Sequence, residues 1–454
     1  MSLIKILTII FFFSFRKHRK TTTTALIKLR TGTLFSLLNN KLHAVFDQPK
    51  QTFSLALAHS RHVFTRQWRR RRVTATLVSL HFSSPRRTSL LVNRRSFSVS
   101  ATMASHSKKV LIPVAHGTEP FEAVVMIDVL RRGGADVTVA SVENQVGVDA
   151  CHGIKMVADT LLSDITDSVF DLIMLPGGLP GGETLKNCKA LENMVKKQDA
   201  DGRLNAAICC APALALGTWG LLEGKKATCY PVFMEKLGAT CATAVESRVM
   251  RPNPGDEYTI TELNQIKWSY ENTPQILVPI ADGSEEMEAV AIIDVLRRAK
   301  ANVVVAALGN SLEVVASRKV KLVADVLLNE AEKNSYDLIV LPGGLGGAEA
   351  FASSEKLVNM LKKQAESNKP YGAVCASPAL VFEPHGLLKG KKATAYPPMC
   401  NKLSDQSHIE HRVLVDGNLI TSRGPGTSLE CALAIVEKFY GREKGLQLSK
   451  ATLV

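Results

Sequence analysis

Two of the nine cysteines stand at matching positions in two similar halves of the chain, Cys209 and Cys375, 166 residues apart. Each ends a short apolar segment, and an Ala-Pro or Ser-Pro pair that can begin a helix follows closely. Unpaired N–H groups at a helix start favour a thiolate, and a sharp strand-to-helix turn projects the side chain. We therefore predict two reactive cysteines with lowered thiol pKa values, against the alternative of small buried cysteines that only fill space.

A glutamate precedes each cysteine at the same distance. Glu122 ends the string HGTEPFE, and Glu288 ends the string DGSEEME. Because both lie one helical turn inside an apolar segment, we expect burial to raise their pKa values, so that each holds a proton near neutral pH. Such a carboxyl can exchange a proton with a thiol or a substrate, which makes it a candidate acid/base. The alternative role, an acid that only complements the helix dipole, suits Glu119 and Glu285.

A Gly-Gly pair within the string LPGG ends another apolar strand in each half. Glycine lets the backbone approach closely and direct an N–H group at a substrate oxygen. We predict that each pair, Gly177-Gly178 or Gly343-Gly344, forms an oxyanion hole with the N–H of the residue after the cysteine, Cys210 or Ala376. The site cysteines lack the spacing of zinc ligands, so we predict neither a metal nor an organic cofactor.

The chain as a whole is organised as this repeat. Four pairs of segments match at the same offset: 110–132 with 276–298, 170–185 with 336–351, 206–214 with 372–380, and 220–231 with 386–397. A repeat of this length indicates two tandem domains rather than a solenoid. The match ends near Met250, whereas the second copy continues for about 40 residues, so we expect a first copy truncated at its C-terminal end.

These observations divide the chain into four parts: an N-terminal segment (1–103), a first copy (106–250), a linker (251–275) and a second copy (276–454). The linker is suggested by the Pro, Asn and Gly residues at its start. Loss of a strand and a helix exposes apolar surface in the first copy. We therefore expect the second copy to carry most of the activity.

Each copy alternates apolar strands with amphipathic helices. VLIPVA and ILVPIA have the continuous apolar pattern of strands buried on both faces, and the segments ending in IDVLRR have helical spacing. This alternation predicts an open, mostly parallel α/β sheet covered by helices, with ligands beyond the carboxyl ends of the strands. The glutamate, Gly-Gly and cysteine loops all fall at that edge.

Positive charge is concentrated at the N-terminus. The formal net charge is +14 at pH 7, but residues 1–103 hold 19 Lys and Arg against one acid, Asp47. The rest of the chain holds 37 basic and 41 acidic residues, which gives −4. The two copies are thus mildly acidic, and we predict no nucleic-acid partner.

The N-terminal segment has the Arg-, Ser- and Thr-rich, acid-poor composition of an organellar transit peptide. Its apolar run, residues 6–15, is too short to span a bilayer, so we predict no membrane anchor. We expect import into a chloroplast or a mitochondrion, which composition does not distinguish. The alternative is a cytosolic and nuclear form that begins at Met103.

Several motifs in combination resemble the DJ-1/PfpI family, and the tandem arrangement resembles its two-domain plant members. They are LPGG, A-x-C-A-x-P, G-x-E-x-x-E and, in the second copy, SRGPGTS (422–428) followed by E-x-A-L-A-I-V-E (430–437). The resemblance covers residues 106–454. It implies a flavodoxin-like, doubly wound fold and a peroxide-sensitive cysteine beside a protonated glutamate. It also implies dimer-type packing that the two copies satisfy within one chain, with a homodimer as a further assembly.

The same resemblance assigns roles to residues. Cys375 is the expected nucleophile and Glu288 the acid/base, with Gly344 and Ala376 as oxyanion donors. Their equivalents in the first copy, in the same order, are Cys209, Glu122, Gly178 and Cys210.

The chain departs from the family pattern beside each cysteine. Tyr230 and Tyr396 stand where many members have a His before Pro. A Tyr hydroxyl can hydrogen-bond a substrate oxygen but is a poor proton shuttle near pH 7. The protease-like and amidotransferase-like branches place a His directly after the cysteine, and Cys210 or Ala376 stands there instead, which disfavours a Cys-His hydrolase.

The resemblance implies glutathione-independent glyoxalase activity, a debated deglycase activity and protection against oxidative stress. We expect the chain to convert a small reactive dicarbonyl, methylglyoxal or glyoxal, to lactate or glycolate. The alternative is a non-catalytic redox sensor or chaperone-like stress protein that uses the same oxidisable cysteine.

Overall fold

The computed structural model describes residues 107–246 and 258–453, and its elements follow the predicted repeat. The segment predicted to direct import (1–103) lies outside the described residues. Neither described stretch contains a helix with both the length and the apolar character needed to cross a membrane.

The first domain, residues 107–246, is built on a parallel sheet. Its strands are β1 (Lys109–Val114), β2 (Asp136–Ser141), β3 (Gly147–Asp149), β4 (Lys155–Val157), β5 (Thr160–Leu161), β6 (Leu172–Leu175), β7 (Leu204–Ala207), β8 (Lys226–Ala227) and β9 (Thr243–Ala244). Its α-helices are α1 (Pro120–Arg132), α2 (Gly181–Asn187), α3 (Lys189–Ala200) and α4 (Met234–Gly238). The main sheet has the order β5-β2-β1-β6-β7, with every neighbouring pair parallel.

Alternate residues of β1 enter two different cores. Val110 and Ile112 pack in the core that includes Val124 of α1, whereas Leu111 packs in the core that includes Leu191 of α3. Because successive side chains of a strand point to opposite faces, both faces of the sheet are covered by helices. The predicted doubly wound α/β fold is thus confirmed.

The second domain, residues 258–453, repeats this plan and extends it. Its strands are β10 (Thr261–Leu263), β11 (Gln275–Ile280), β12 (Asn302–Ala307), β13 (Glu313–Val315), β14 (Lys321–Val323), β15 (Val326–Leu327), β16 (Leu338–Leu341), β17 (Tyr371–Val374), β18 (Val413–Asp416) and β19 (Leu419–Ser422). Its α-helices are α5 (Glu286–Arg298), α6 (Leu328–Ala331), α7 (Leu345–Ser353), α8 (Glu355–Glu366), α9 (Ser428–Tyr440) and α10 (Arg442–Thr452). The sheet order is β10-β18-β19-β17-β16-β11-β12-β15, and only the β18–β19 pair is antiparallel.

The described part of the first domain has no counterpart of β18, β19 or α9. In the second domain β19 lies against β17, and all four residues of β17 are buried. The equivalent strand β7 is the last strand of its sheet, and none of its four residues is buried. Among the described residues, therefore, one edge of the first sheet lacks the strands and helix that cover the equivalent edge of the second sheet.

The segment predicted to be a linker is part of the second domain from residue 258 onward. Strand β10 pairs with β18, with Thr261 opposite Leu414. Trp268 is 2% exposed, its ring centroid lies 5.3 Å from that of Phe439, and its indole N–H donates to the Gly417 carbonyl at 3.0 Å. Large aromatic side chains bury much apolar surface, so this segment is held by packing. For residues 258–275 the linker prediction is wrong.

The two domains pair with each other within the chain, as predicted. Strand β4 of the first domain pairs antiparallel with β14 of the second, with Met156 opposite Leu322. This pairing joins β3, β4, β13 and β14 into a four-stranded sheet to which both domains contribute. Helix α1 packs against α5, and Arg297 donates to the Gly153 carbonyl at 2.7 Å. A homodimer of the whole chain stays a prediction.

Candidate active site

Cys375 occupies a strained turn between strand β17 and the short helix Pro378–Phe382. Its φ of 62° lies in the left-handed region that residues with a Cβ seldom adopt. The Cys375 N–H donates to the Ser422 carbonyl at 2.9 Å, and its carbonyl accepts from the Tyr396 N–H at 2.6 Å. Two neighbouring segments thus hold the turn, and the side chain is 7% exposed.

Glu288 lies one turn inside α5 and reaches the same turn. Its side chain is fully buried, and its Oε2 accepts from the Gly343 N–H at 2.6 Å. The carboxyl also lies beside the thiol of Cys375, and each of the two groups shifts the pKa of the other. Burial raises the pKa of Glu288 to about 7, as the sequence predicted in direction. Because this value is close to neutrality, the group can both take up and release a proton under physiological conditions.

The thiol of Cys375 does not have the lowered pKa that we predicted. Burial and the nearby carboxylate of Glu288 raise the pKa of this thiol, and only the N–H of Gly344, which donates to the sulfur, lowers it. The helix after the turn has five residues, so its dipole is small, and burial decides the direction. Glu288 therefore loses its proton before the thiol does, and the carboxylate is the base that can accept the thiol proton.

The Gly-Gly turn is fixed by close packing. Gly344 has a φ of 84°, and a Cβ at this position would lie 2.2 Å from the Gly283 carbonyl oxygen. A Cβ on Gly343 would lie 2.5 Å from the Cβ of Cys375. Gly344 directs its N–H at the sulfur, near where a substrate oxygen would lie. Gly343, which the sequence did not single out as a donor, holds Glu288.

The remaining predicted residues of the second site lie around the same turn. Ala376 is 2% exposed and directly follows the cysteine. Tyr396 is 41% exposed, and its ring lies 3.7 Å from the place of a Cβ on Gly424. The same Cβ would be 3.8 Å from Oε1 of Glu288 and 4.0 Å from Sγ of Cys375. Gly424, part of the SRGPGTS motif, therefore covers the pair, and the absence of a side chain leaves space there.

The first domain assembles a similar turn with less cover. Cys209 has a φ of 60°, and its carbonyl accepts from the Tyr230 N–H at 2.7 Å. Oε2 of Glu122 accepts from the Gly177 N–H at 2.8 Å, and burial, followed by Cys209, raises the pKa of Glu122 well above its usual value. Gly178, with a φ of 97°, contributes a backbone hydrogen bond to Cys209.

Cys210 makes the first site chemically different from the second. Its thiol interacts with that of Cys209, and this interaction raises the pKa of Cys209 and lowers that of Cys210. The Cys210 thiol also donates to the Gly178 carbonyl at 3.4 Å. Cys209 is only half-buried, because the described part of this domain has no equivalent of the segment 422–428. The prediction of a lowered thiol pKa for Cys209 is also wrong, because the interaction with Cys210 raises this pKa.

A strained cysteine at the carboxyl end of a parallel strand, facing a buried glutamate, characterises this α/β protein, in which the arrangement occurs in two tandem copies. The family model described as "DJ-1/PfpI family" matches residues 108–260 and 274–438. The chain belongs to the DJ-1/PfpI family.

Two plant relatives match most of the chain, and a nematode relative matches a smaller part of it. Protein DJ-1 homolog B of Arabidopsis thaliana is 84% identical over 415 residues, which is 83% of this chain and 94% of that protein. Protein DJ-1 homolog A of the same plant is 73% identical over 392 residues, 78% of this chain and 100% of that protein. A Caenorhabditis elegans protein named glutathione-independent glyoxalase DJR-1.2 is 34% identical over 178 residues, 38% of this chain and 92% of that protein.

The match with homolog B also bears on the truncation. It extends over 415 residues, whereas 83% of the 454 residues of this chain is about 377. About 38 positions of the match therefore have no residue in this chain. This number agrees with the strand and helix that the repeat predicts to be missing from the first copy.

Proposed function

We propose that the second domain is a cofactor-independent glyoxalase that converts methylglyoxal or glyoxal to lactate or glycolate. The observation that carries this proposal is that the buried carboxyl of Glu288 and the thiol of Cys375 face the same point, since a Cβ on Gly424 would lie 3.8 Å from Oε1 and 4.0 Å from Sγ. Within the described residues Oε1 of Glu288 has no hydrogen-bond partner, and it faces the space beside the sulfur under Gly424. A nucleophile and an acid/base thus share one small space. The name of the nematode relative supports this class of reaction.

The first step is addition of the Cys375 sulfur to the aldehyde carbon of the substrate. The carboxylate of Glu288 takes the thiol proton, and a C–S bond forms as the carbonyl C=O π bond opens. The aldehyde oxygen then takes up this proton from Glu288, which restores the carboxylate, and the product is a hemithioacetal. The N–H of Gly344, next to the sulfur, stabilises negative charge on that oxygen during the addition.

The second step moves hydrogen between the two adjacent carbons. Glu288 removes the proton from the carbon bonded to sulfur while the neighbouring keto oxygen takes up a proton from water, which gives an enediol. Glu288 then returns its proton to the neighbouring carbon, and the hydroxyl on the sulfur-bearing carbon loses its proton to water. The result is a thioester of the 2-hydroxy acid. Water then cleaves the C–S bond, which releases the hydroxy acid and restores the thiol. The sequence adds one water and needs no oxidant or reductant.

A second candidate function, redox sensing by the same thiol, is favoured by one feature of this site. The sulfur lies between the Gly344 N–H and the unpartnered Oε1 of Glu288, two groups that can bind sulfinate oxygens when the carboxyl is protonated. Mild peroxide would then add about 32 Da, two oxygens, to Cys375. Such an adduct without any turnover of dicarbonyls favours sensing over catalysis.

The test of the glyoxalase proposal uses the full chain in buffer free of any thiol. Methylglyoxal is added, and lactate is followed by proton NMR. We expect lactate to form without glutathione. No lactate above the level given by Cys375→Ala would contradict the proposal.

A further inference from the structure

Across the interface between α1 and α5, one arginine from each domain forms an ion pair with a glutamate of the other domain. Arg132, at the end of α1, donates to Oε1 of Glu285 in the second domain at 2.7 Å. Arg298, at the end of α5, donates to Oε2 of Glu119 in the first domain at 2.6 Å. Each arginine is also paired with an aspartate one turn earlier in its own helix, Asp128 or Asp294. The two interdomain ion pairs therefore have the same kinds of partner and nearly the same length.

The two ion pairs differ in the further contacts that their glutamates make. Glu285 is the N-cap residue of α5, and its second oxygen accepts from the Glu288 N–H at 2.8 Å. A continuous path of hydrogen bonds thus runs from Arg132 through Glu285 to the residue beside Cys375. In the first domain Glu119 makes no such cap, and its Oε1 is buried without a partner. Among the described residues, therefore, no hydrogen bond continues from Arg298 through Glu119 to Glu122.

The surroundings of Glu285 show why a cation is needed there. Asp128, Glu285 and Glu286 bring carboxylate oxygens within 4.8 Å of one another, and all three residues are buried. Glu286 is partly satisfied by the Ser317 hydroxyl and the Arg318 N–H. Arg132 is the guanidinium that contacts both Asp128 and Glu285. A buried acid without its cationic partner takes up a proton or moves towards water, and either change weakens the cap at Glu288.

The groups that face Glu288 come from several elements. They are Glu285 on α5, Asp128 and Arg132 on α1, Gly343 and Cys375 in the turns, and Cys431 on α9, while Glu286 acts on Glu285. Among the charged groups in this set, only the guanidinium of Arg132 favours the ionised form of Glu288.

We propose that Arg132 of the truncated first domain is a positioning residue for the active site of the second domain. It acts through Glu285, which fixes the first turn of α5 and so the place of Glu288 against Cys375. The first domain is then a required part of the second site, whatever the activity of Cys209. This inference deepens the proposed function, but it is stated for the reactivity of Cys375, which can be measured without any glyoxalase activity.

The experiment compares Arg132→Gln with its matched control, Arg298→Gln, in the full chain. Each change removes one interdomain ion pair of nearly equal length. The first readout is the rate at which iodoacetamide alkylates Cys375, resolved by peptide mass spectrometry between pH 5 and 9. For Arg132→Gln we expect alkylation at pH 7 to slow about ten-fold and its midpoint to move to higher pH. Arg298→Gln should leave both within about two-fold of the unchanged protein, and Arg132→Lys should restore part of the rate.

Two further readouts separate positioning from mere loss of the interface. Where turnover is measurable, Arg132→Gln should lower kcat about ten-fold and leave KM within about two-fold, because substrate binding is unchanged. Glu285→Gln keeps an oxygen to cap the Glu288 N–H, and adding Arg132→Gln to it should have little further effect if the path runs through Glu285.

Equal effects of Arg132→Gln and Arg298→Gln on Cys375 would overturn the proposal, since both would then report only a weakened interface. Fully additive effects of Arg132→Gln and Glu285→Gln would overturn the path through Glu285. A protein without glyoxalase turnover but with the expected alkylation pattern would refute the proposed function and support this inference.

Discussion

The carboxyl of Glu288 and the thiol of Cys375 face the same small space at the end of strand β17, so the two groups titrate as a pair. The carboxyl of Glu288 has a pKa of about 7. Burial and the charge of the Glu288 carboxylate raise the pKa of the Cys375 thiol above its ordinary value. The first proton that leaves the pair near neutrality therefore comes from Glu288. The site at neutral pH contains a base next to a thiol, rather than a preformed thiolate.

This order of ionisation predicts the pH dependence of catalysis. Glu288→Gln removes the base but keeps an oxygen for the Gly343 N–H, and we expect kcat/KM to fall by about two to three orders of magnitude. In the unchanged protein kcat/KM should rise with pH through about 7 as Glu288 ionises, and this step should be absent from the variant. Glu122→Gln, at the equivalent position of the first domain, is the control. A step at the same pH in Glu288→Gln would show that another group is the base.

The same group predicts how stability depends on pH. The pKa of Glu288 is about 7 in the folded protein against 4.5 for an unperturbed glutamate, so the folded state binds more protons between these values. Its contribution to the free energy of unfolding is therefore present below pH 4.5 and is lost as pH rises through 7. Glu288→Gln should leave stability nearly unchanged at pH 4.5 and raise it at pH 8, by on the order of 3 kcal/mol.

Urea unfolding at pH 4.5 and pH 8 measures this difference. Glu330→Gln, on a side chain that is 60% exposed, is the control and should give a small difference at both pH values. A stabilisation by Glu288→Gln of the same size at both pH values would show that proton uptake by Glu288 is not the cause.

Gly344 predicts a local steric effect. Gly344→Ala places a Cβ 2.2 Å from the Gly283 carbonyl oxygen at a backbone φ of 84°, so we expect a loss of more than about 2 kcal/mol of stability. Gly426→Ala places its Cβ in open space and should change stability by less than about 0.5 kcal/mol. The denaturant midpoints of both variants test this prediction. Equal midpoints would mean that the turn accommodates the added Cβ without loss of stability.

The packing of Trp268 changes what fragments of the chain should do. A fragment of residues 274–454 lacks β10 and Trp268, which leaves β18 and Phe439 uncovered. We expect 258–454 to be soluble and to melt cooperatively, 274–454 to melt at lower temperature, and 104–250 to aggregate. Size-exclusion chromatography and thermal melts of the three fragments test this. A soluble, cooperatively melting fragment 104–250 would show that the missing strand and helix are dispensable.

The features that the sequence predicted correctly occur in both copies and depend on residues that are adjacent in the chain. The strand patterns, the Gly-Gly turns and the Cys375 and Glu288 positions each depend on a few adjacent residues that occur twice. The linker prediction is wrong for residues 258–275 because a three-residue strand and one tryptophan produce no periodic signal. The direction of the thiol pKa was also misjudged, because it depends on how deeply tertiary packing buries Cys375. The contact of Arg132 with Glu285 joins residues 153 apart, and no local pattern reveals it.

The most direct test of this account is the rate of lactate formation from methylglyoxal by full-length Cys375→Ser and Cys209→Ser, without added thiol. The second site has the Ser422 carbonyl and Gly424 to fix and cover its cysteine, and the first site has no equivalent among its described residues. Because catalysis depends on fixed positions, we expect Cys375→Ser to lower the rate at least about 100-fold and Cys209→Ser to change it less than about two-fold. Equal losses from the two substitutions, or a Cys375→Ser protein that keeps its activity, would contradict the account.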